Sequence, residues 1–231
     1  SPRGPVARAR GARGAPASPP AAEARSLCVV ALMGIRTLHP ATVIAQDICP
    51  VCAASADQVA VDIDGIPMIR QHPRSLADVL ADIEELASAC GADATPLLSE
   101  LGSRLEAASR EARRMGTVRG VFLEWIDPPY RAGHWTPDLL ALAGIEDPIA
   151  RAGVPSVALS WAEVVAARPE LLILAPFGFT CDRALDEAAV VQKNINAVVV
   201  ERVVVLYGSA YFKWSGPCPV YLLGPRGATG L

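Results

Sequence analysis

The chain has 231 residues, of which 52% are hydrophobic and 19% charged, and its formal net charge is −3. This balance allows a sizeable buried core, and the weak negative charge gives no support to nucleic-acid binding. No apolar run approaches the ~18–20 residues of a membrane helix. Six cysteines in a chain of this length are too few for a disulfide scaffold.

The N-terminal part of the chain changes in composition after residue 25. Residues 1–25 consist mainly of Arg, Ala, Gly and Pro with a single acid, Glu23, and this composition predicts disorder. From residue 26 the chain reads as globular. The short β-branched run at residues 41–45 predicts a strand, and a second strand is expected at residues 67–71. A helix is expected between these strands, over residues 53–61.

Two longer helices follow the second of these strands. Ser75 and Asp78 have capping-box spacing, so we expect a helix that ends near Gly91. A second helix is predicted over residues 95–115, with Thr95 as N-cap and Pro96 in the first position. At ~1.5 Å per residue this helix spans about 30 Å, which suits a rigid connector between two units.

The remainder, residues 117–231, alternates strand and helix signals and is predicted to form a second α/β unit. This rhythm favours parallel sheets covered by helices, with residues 26–93 as the first unit. The expected strands are residues 117–123, 171–175 and 198–206, and the expected helices are residues 136–144, 160–167 and 182–191.

Residues 121–135, VFLEWIDPPYRAGHW, carry the strongest functional signal in the chain. An apolar strand stops at an acid and an aromatic, a Pro-Pro turn follows, and further aromatic and polar side chains arrive within a few residues. Strand ends that run into such loops are where open α/β sheets bind ligands. The alternative is that the two Trp residues are core. The candidate ligand-binding residues here are Glu124, Trp125, Tyr130, His134 and Trp135.

Two other predicted strand ends also carry aromatic side chains. Because the carboxyl ends of parallel strands lie along one edge of a sheet, the three sets would form a largely aromatic wall. Such a wall suits a large, flat, partly polar ligand. The additional candidates are Phe177, Phe179, Tyr211, Phe212 and Trp214.

Cys49 and Cys52 form the one short cysteine motif, and several roles are open for them. Both are expected near a helix N-terminus, where thiol pKa values fall. They could form a small disulfide, contact a ligand or act in redox chemistry; a zinc site would need further ligands. Hydrolytic catalysis is poorly supported, because the sequence has neither a Gly-x-Ser-x-Gly elbow nor a Gly-rich phosphate loop.

Several segments together resemble one protein family. VFLEWIDPPYRAGHWTPDLLALAG, SWAEVVAARPELLILAPFGF and GSAYFKWSGP look like the second lobe of a cobalamin-binding protein, and HPATVIAQDICPVCAASADQV and HPRSLADVLADIEELASACG resemble its first lobe. The family is the cobalamin and iron-siderophore group of ABC-importer substrate-binding proteins. The resemblance covers roughly residues 37–214.

This resemblance implies a fold of two Rossmann-like lobes with parallel sheets, joined by one long helix, with the ligand between them. The first lobe is expected to be incomplete, because residues 1–25 stand where the family has an opening strand and helix. Residues 220–231 are expected to form a glycine-containing tail in place of the family's C-terminal helix.

The implied function is non-enzymatic binding of cobalamin or a related corrinoid as a transported ligand, with no tightly bound cofactor. An ABC permease is the expected partner of a monomeric chain. The location would be periplasmic or extracytoplasmic, although the sequence shows no clear signal peptide. On the same resemblance Tyr211, Phe212 and Trp214 face the cleft. The alternatives are a siderophore or haem binder on this fold, and a thiol-disulfide oxidoreductase that uses Cys49 and Cys52.

Two of the candidate polar residues have alternative roles. Glu124 either accepts hydrogen bonds from corrin side-chain amides or is a satisfied structural acid. His134 either ligates cobalt as a neutral imidazole or is a hydrogen-bonded loop histidine. Cys49 is kept as a further ligand-contact candidate.

Overall fold

The computed structural model describes residues 35, 37–48, 56–60, 65–212 and 215–223. The predicted disorder of residues 1–25 lies outside this range, and so do Cys49, Cys52 and Trp214. The described residues form one sheet of two strands and one sheet of five, with helices packed against them. Of these helices, none combines the length and the hydropathy that crossing a membrane requires.

The two-stranded sheet contains both strands predicted in the first unit. Strand β1 (Val43–Gln46) pairs in parallel with β2 (Met68–Gln71), and helix α1 (Ala56–Ala60) lies between them in the chain. The Asp47 carboxylate accepts a hydrogen bond of 2.9 Å from the Ala56 amide. It therefore ties the end of β1 to the start of α1, where a negative charge is favourable.

The capping box predicted at Ser75 is confirmed. It opens helix α2 (Leu76–Ala89): the Ser75 hydroxyl accepts from the Asp78 amide, and the Asp78 carboxylate accepts from the Ser75 amide at 2.9 Å.

The long predicted helix is observed as α3 (Thr95–Met115), but the expected N-cap at Thr95 is wrong. The N-cap position is Ala94, which makes no side-chain cap. Instead, the Asp93 carboxylate accepts from the Thr95 amide at 2.9 Å. An Asp side chain can bond the backbone two residues ahead, so Asp93 takes the amide that a cap would otherwise bind.

The five-stranded sheet follows α3 in the chain. Strands β3, β6 and β7 run parallel, as predicted. Strand β5, which was not predicted, is also parallel to β3, whereas β4 is antiparallel to it. The chain reverses at the Pro-Pro turn, so Trp125 pairs with Tyr130 and β3 continues two residues past its predicted end. The strands are β3 (Val118–Trp125), β4 (Tyr130–Arg131), β5 (Ile145–Glu146), β6 (Leu171–Leu174) and β7 (Arg202–Val205).

The helices of this second unit include three that were not predicted. The predicted strand over residues 198–206 is observed only at Arg202–Val205, because residues 198–201 form the loop that follows the helix Gln192–Ala197. The C-terminal tail expected from residue 220 is also wrong in its first part, which is helical. The helices are α4 (Thr136–Leu142), α5 (Trp161–Ala166), α6 (Cys181–Val190), α7 (Gln192–Ala197), α8 (Gly208–Tyr211) and α9 (Cys218–Leu222).

The large sheet is covered on both faces, as parallel sheets generally are. Phe122 faces one core while its neighbours Val121 and Leu123 face another, because side chains alternate along a strand. The first core also contains Val79 of α2 and Leu101 of α3, and Leu101 is fully buried. The first unit, the long helix and the large sheet therefore share one continuous core.

Candidate functional site

The loops that follow β3, β6 and β7 meet at one edge of the large sheet, which we call the carboxyl edge. The three strands are neighbours in register, and their loops are bonded to each other. The Phe177 amide donates to the Glu124 carbonyl at 3.1 Å, and the Gly178 amide donates to the Ser209 hydroxyl at 2.6 Å. The predicted meeting of three aromatic-bearing strand ends at one edge is therefore confirmed.

Part of the aromatic set at the carboxyl edge is accessible to solvent. The Trp125 ring packs on Phe179 with a centroid distance of 4.7 Å and an interplanar angle of 54°. The Trp125 indole N–H donates to the Asp127 carbonyl at 3.1 Å, which fixes the orientation of the ring. The partly exposed aromatic side chains are Trp125, Tyr130, Phe177 and Tyr211, together with Tyr207, which was not predicted.

The other aromatic candidates lie in the interior. Trp135 is 3% exposed and Phe212 is 4% exposed, and both belong to the core shared with α2 and α3. Phe212 packs edge-on against Phe122, with ring centroids 4.7 Å apart. Phe179 is also buried, under Trp125. These three side chains support the surface from below rather than forming its outer layer.

The loop between the Pro-Pro turn and α4 is held in place along most of its length by residues 151–159. Five backbone hydrogen bonds of 2.7–3.1 Å join the two segments: from Leu159 to Pro129, from Arg131 to Val157, from Arg151 to Ala132, from His134 to Val154 and from Gly153 to His134. Gly133 lies so close to the opposite segment that an added Cβ would come within 2.6 Å of the Val154 carbonyl oxygen and the Ser156 amide nitrogen. Only glycine fits there.

Glu124 anchors this loop from beneath. Its carboxylate is buried and accepts from the Gly133 amide at 3.1 Å. Burial raises the pKa of Glu124 to about 7, although the Gly133 amide and the hydroxyls of Ser156 and Thr136 favour the charged form. All of these partners lie within the protein, which agrees with the alternative that Glu124 is a satisfied structural acid.

His134 lies where the loop meets the first unit. Its backbone has a positive φ of 50°, and its ring lies 5.9 Å from that of Trp135. Burial lowers the pKa of His134, and the positive charges of His72 and Arg74 lower it further. Because His72 and Arg74 directly follow β2, this loop faces the end of the small sheet.

The residues that could hold a metal are few in the described part of the chain. There, no three His, Cys, Asp or Glu side chains are grouped to bind an ion. Cobalt ligation by His134 stays a prediction. The ligand, disulfide and redox roles of Cys49 and Cys52 also stay predictions, since both lie outside the described residues.

Arg183 is a second side chain at this edge, besides Tyr207, that the sequence reasoning missed. Its guanidinium carbon lies 3.8 Å from the centroid of the Phe179 ring. Phe179 directly precedes the N-cap residue Thr180, and Arg183 lies in the first turn of α6. An aromatic residue before a helix start and an arginine in its first turn were the available signal.

Comparison with known proteins identifies similar folds among solved structures. No protein-family model matches the sequence, and neither does any curated protein. The periplasmic vitamin B12-binding protein BtuF of Vibrio cholerae is 17% identical, with a TM-score of 0.63 over 84% of this chain and 75% of that one. The periplasmic heme-binding protein RhuT from Roseiflexus sp. is 22% identical, with a TM-score of 0.65 over 87% and 79%.

An ABC-transporter substrate-binding protein from Listeria monocytogenes is 18% identical, with a TM-score of 0.65 over 83% of this chain and 77% of that one. At these identities the likeness shows the fold alone, which in this chain consists of parallel sheets covered by helices. The chain therefore has the α/β fold of periplasmic substrate-binding proteins.

Proposed function

We propose that the chain binds a flat macrocyclic ligand, a corrinoid such as cobalamin, at the carboxyl edge of its large sheet. It would do so as the substrate-binding component of an ABC importer, without catalysis and without a resident cofactor. The observation that carries the proposal is the Trp125 ring, which is partly exposed, fixed in orientation and supported by the buried Phe179 ring.

A supported aromatic side chain suits such a ligand for a physical reason. Trp and Phe offer large contact areas and lose little conformational entropy on binding, and here much of that entropy is already lost. The loop that carries the neighbouring Tyr130 is bonded on both sides, so it offers a preformed surface. A preformed apolar surface with a few polar groups is the usual design of a small-molecule site.

The ligand would lie between the two units, in contact with His134 on one side and with the residues after β2 on the other. The charge interaction of His134 with His72 and Arg74 supports this location. Delivery to a membrane permease would use acidic groups on the surface of each lobe, and the chain would act outside the cytoplasm. These last two points rest on the family resemblance.

Haem is the second candidate, and His134 is the residue that favours it. Burial and the charge interactions with His72 and Arg74 lower the pKa of His134 and so favour the neutral imidazole, which is the form that binds iron. Among the solved structures with a similar fold are heme-binding proteins from Roseiflexus sp. and Pseudomonas aeruginosa. A siderophore remains the third ligand on the same fold.

Calorimetric titration of the folded chain with cyanocobalamin and with haemin tests the proposal. We expect saturable binding of one of them with a Kd of about 1 μM or below. Trp125→Ala should weaken that binding more than tenfold, whereas Trp125→Phe keeps a ring against Phe179 and should retain most of the affinity. Trp135 is unsuitable for this test because it lies in the core. Unchanged affinity in a folded Trp125→Ala variant would exclude the aromatic surface as the site.

A further inference from the structure

Trp125 and Arg183 both pack on the Phe179 ring at the carboxyl edge. The Phe179 ring contacts Trp125 at a centroid distance of 4.7 Å and the Arg183 guanidinium at 3.8 Å. Trp125 and Arg183 therefore both contact the same phenyl ring. A ligand several rings wide that lies against Trp125 would bring its rim close to Arg183.

The position of Arg183 is set before any ligand binds. The Thr180 hydroxyl caps α6 by accepting from the Arg183 backbone amide at 3.3 Å, which places this residue in the first helical turn. The face of its guanidinium then rests on Phe179, a favourable contact for a cation on an aromatic ring. Part of the entropy that a free arginine loses on binding is already lost here.

The charge of Arg183 is only weakly compensated within the protein. Its side chain is 50% exposed, and the closest carboxylate oxygen, on Glu187, is 3.9 Å from its Nε, beyond hydrogen-bonding distance. In the ranges that the structure describes, its guanidinium donates no hydrogen bond. Stacking occupies the face of the group and leaves its N–H edge available, which is the edge that binds carboxylates and phosphates in pairs of hydrogen bonds.

We propose that Arg183 binds an anionic substituent, a carboxylate or phosphate, on the rim of the macrocycle that rests on Trp125. This inference deepens the proposed function and rests on it. It narrows the ligand class from flat macrocycles in general to those that carry a negatively charged group. Arg183 then acts as a specificity residue, since ligands whose substituents are all neutral gain nothing from it.

Three probes and two variants test this assignment by calorimetric titration. Dicyanocobinamide has only neutral side chains on its macrocycle, cyanocobalamin adds a phosphodiester, and haemin carries two carboxylates. Arg183→Met keeps an unbranched side chain over Phe179 without the charge, and Arg183→Lys keeps the charge without the planar fork. Arg104→Met is the matched control, because Arg104 also stacks on a ring, that of Tyr221 at 4.5 Å, but is paired with Glu100 at 2.9 Å.

We expect Arg183→Met to weaken binding of the anionic probe about tenfold, which corresponds to the loss of one charge-assisted contact. Dicyanocobinamide binding should change by less than about twofold, and Arg104→Met should change none of the affinities. Arg183→Lys should retain part of the affinity for the anionic probe. If the Met variant folds poorly, this second variant still tests the role of Arg183.

Equal losses for all three probes, or no loss for the anionic probe that binds, would overturn the assignment of Arg183. A wild-type chain that binds only dicyanocobinamide would also overturn it while leaving the proposed function standing. A folded wild-type chain that binds none of the three would overturn both.

Discussion

Replacement of the buried Glu124 by Gln should make the free energy of unfolding less dependent on pH. Glu124 has a folded-state pKa of about 7, against an ordinary value of 4.5. Between these two values the folded state binds the proton more tightly than the unfolded chain does. The contribution of Glu124 to stability is therefore fully present below about pH 4.5 and is lost as the pH rises through 7.

The size of the effect follows from the shift. A rise from 4.5 to about 7 corresponds to about 3 kcal/mol, at ~1.4 kcal/mol for each pKa unit. Gln can still accept from the Gly133 amide and cannot ionise, so the variant avoids the cost of a buried charge. Relative to wild type, Glu124→Gln should therefore gain about 3 kcal/mol more stability at pH 8 than at pH 4.5.

Urea denaturation of both proteins at pH 4.5 and pH 8, followed by circular dichroism, measures this difference. Any fixed cost of the substitution cancels, since only the change between the two pH values is compared. Glu146→Gln removes an exposed carboxyl on β5 and keeps Glu124, so it is the matched control and should retain the pH dependence of the wild type. A stability difference between wild type and Glu124→Gln that is the same at both pH values would refute the reasoning.

Three further substitutions test the packing and local structure. Leu101→Ala removes a fully buried side chain from the shared core and should lower the free energy of unfolding, measured by urea denaturation, by about 2–5 kcal/mol. A loss below about 1 kcal/mol would contradict the description of the core. Gly133→Ala would force a Cβ against the backbone of residues 154–156, so the thermal midpoint should fall clearly, and an unchanged midpoint would show that the loop is not held as described. Ser160→Ala removes the side-chain cap of α5 and should cost about 1 kcal/mol, whereas Ser160→Asp, which also caps, should cost less; equal losses would argue against capping.

Local sequence signals predicted local structure well. The capping box at Ser75 was predictable because it needs only residues three apart on one chain segment. The central strands β3 and β6 were also predictable, since their apolar runs are buried in the sheet, whereas the two-residue strand β5 is too short to give such a signal. The β4 hairpin was missed because it depends on Trp125 meeting Tyr130 across a turn, which periodicity does not reveal.

The sequence predicted the location of the candidate site more accurately than it predicted which side chains form its surface. Strand ends mark the edge, but which aromatic rings reach its surface depends on packing between distant segments. Phe212 is buried because α8 approaches β6 closely; at Gly208 an added Cβ would overlap the Ala175 carbonyl oxygen. Trp125, only two residues after the buried Leu123, stays partly exposed because the chain turns away at the sheet edge.

The single core that joins α2, α3 and the large sheet has a consequence for how the chain unfolds. The Leu76 amide, at the start of α2, also donates to the Asp138 carboxylate of α4 at 2.8 Å, so the first unit is tied to the second at both apolar and polar contacts. Neither part can lose its structure without exposing apolar surface on the other. Heat should therefore melt them in one cooperative transition, with equal calorimetric and van't Hoff enthalpies.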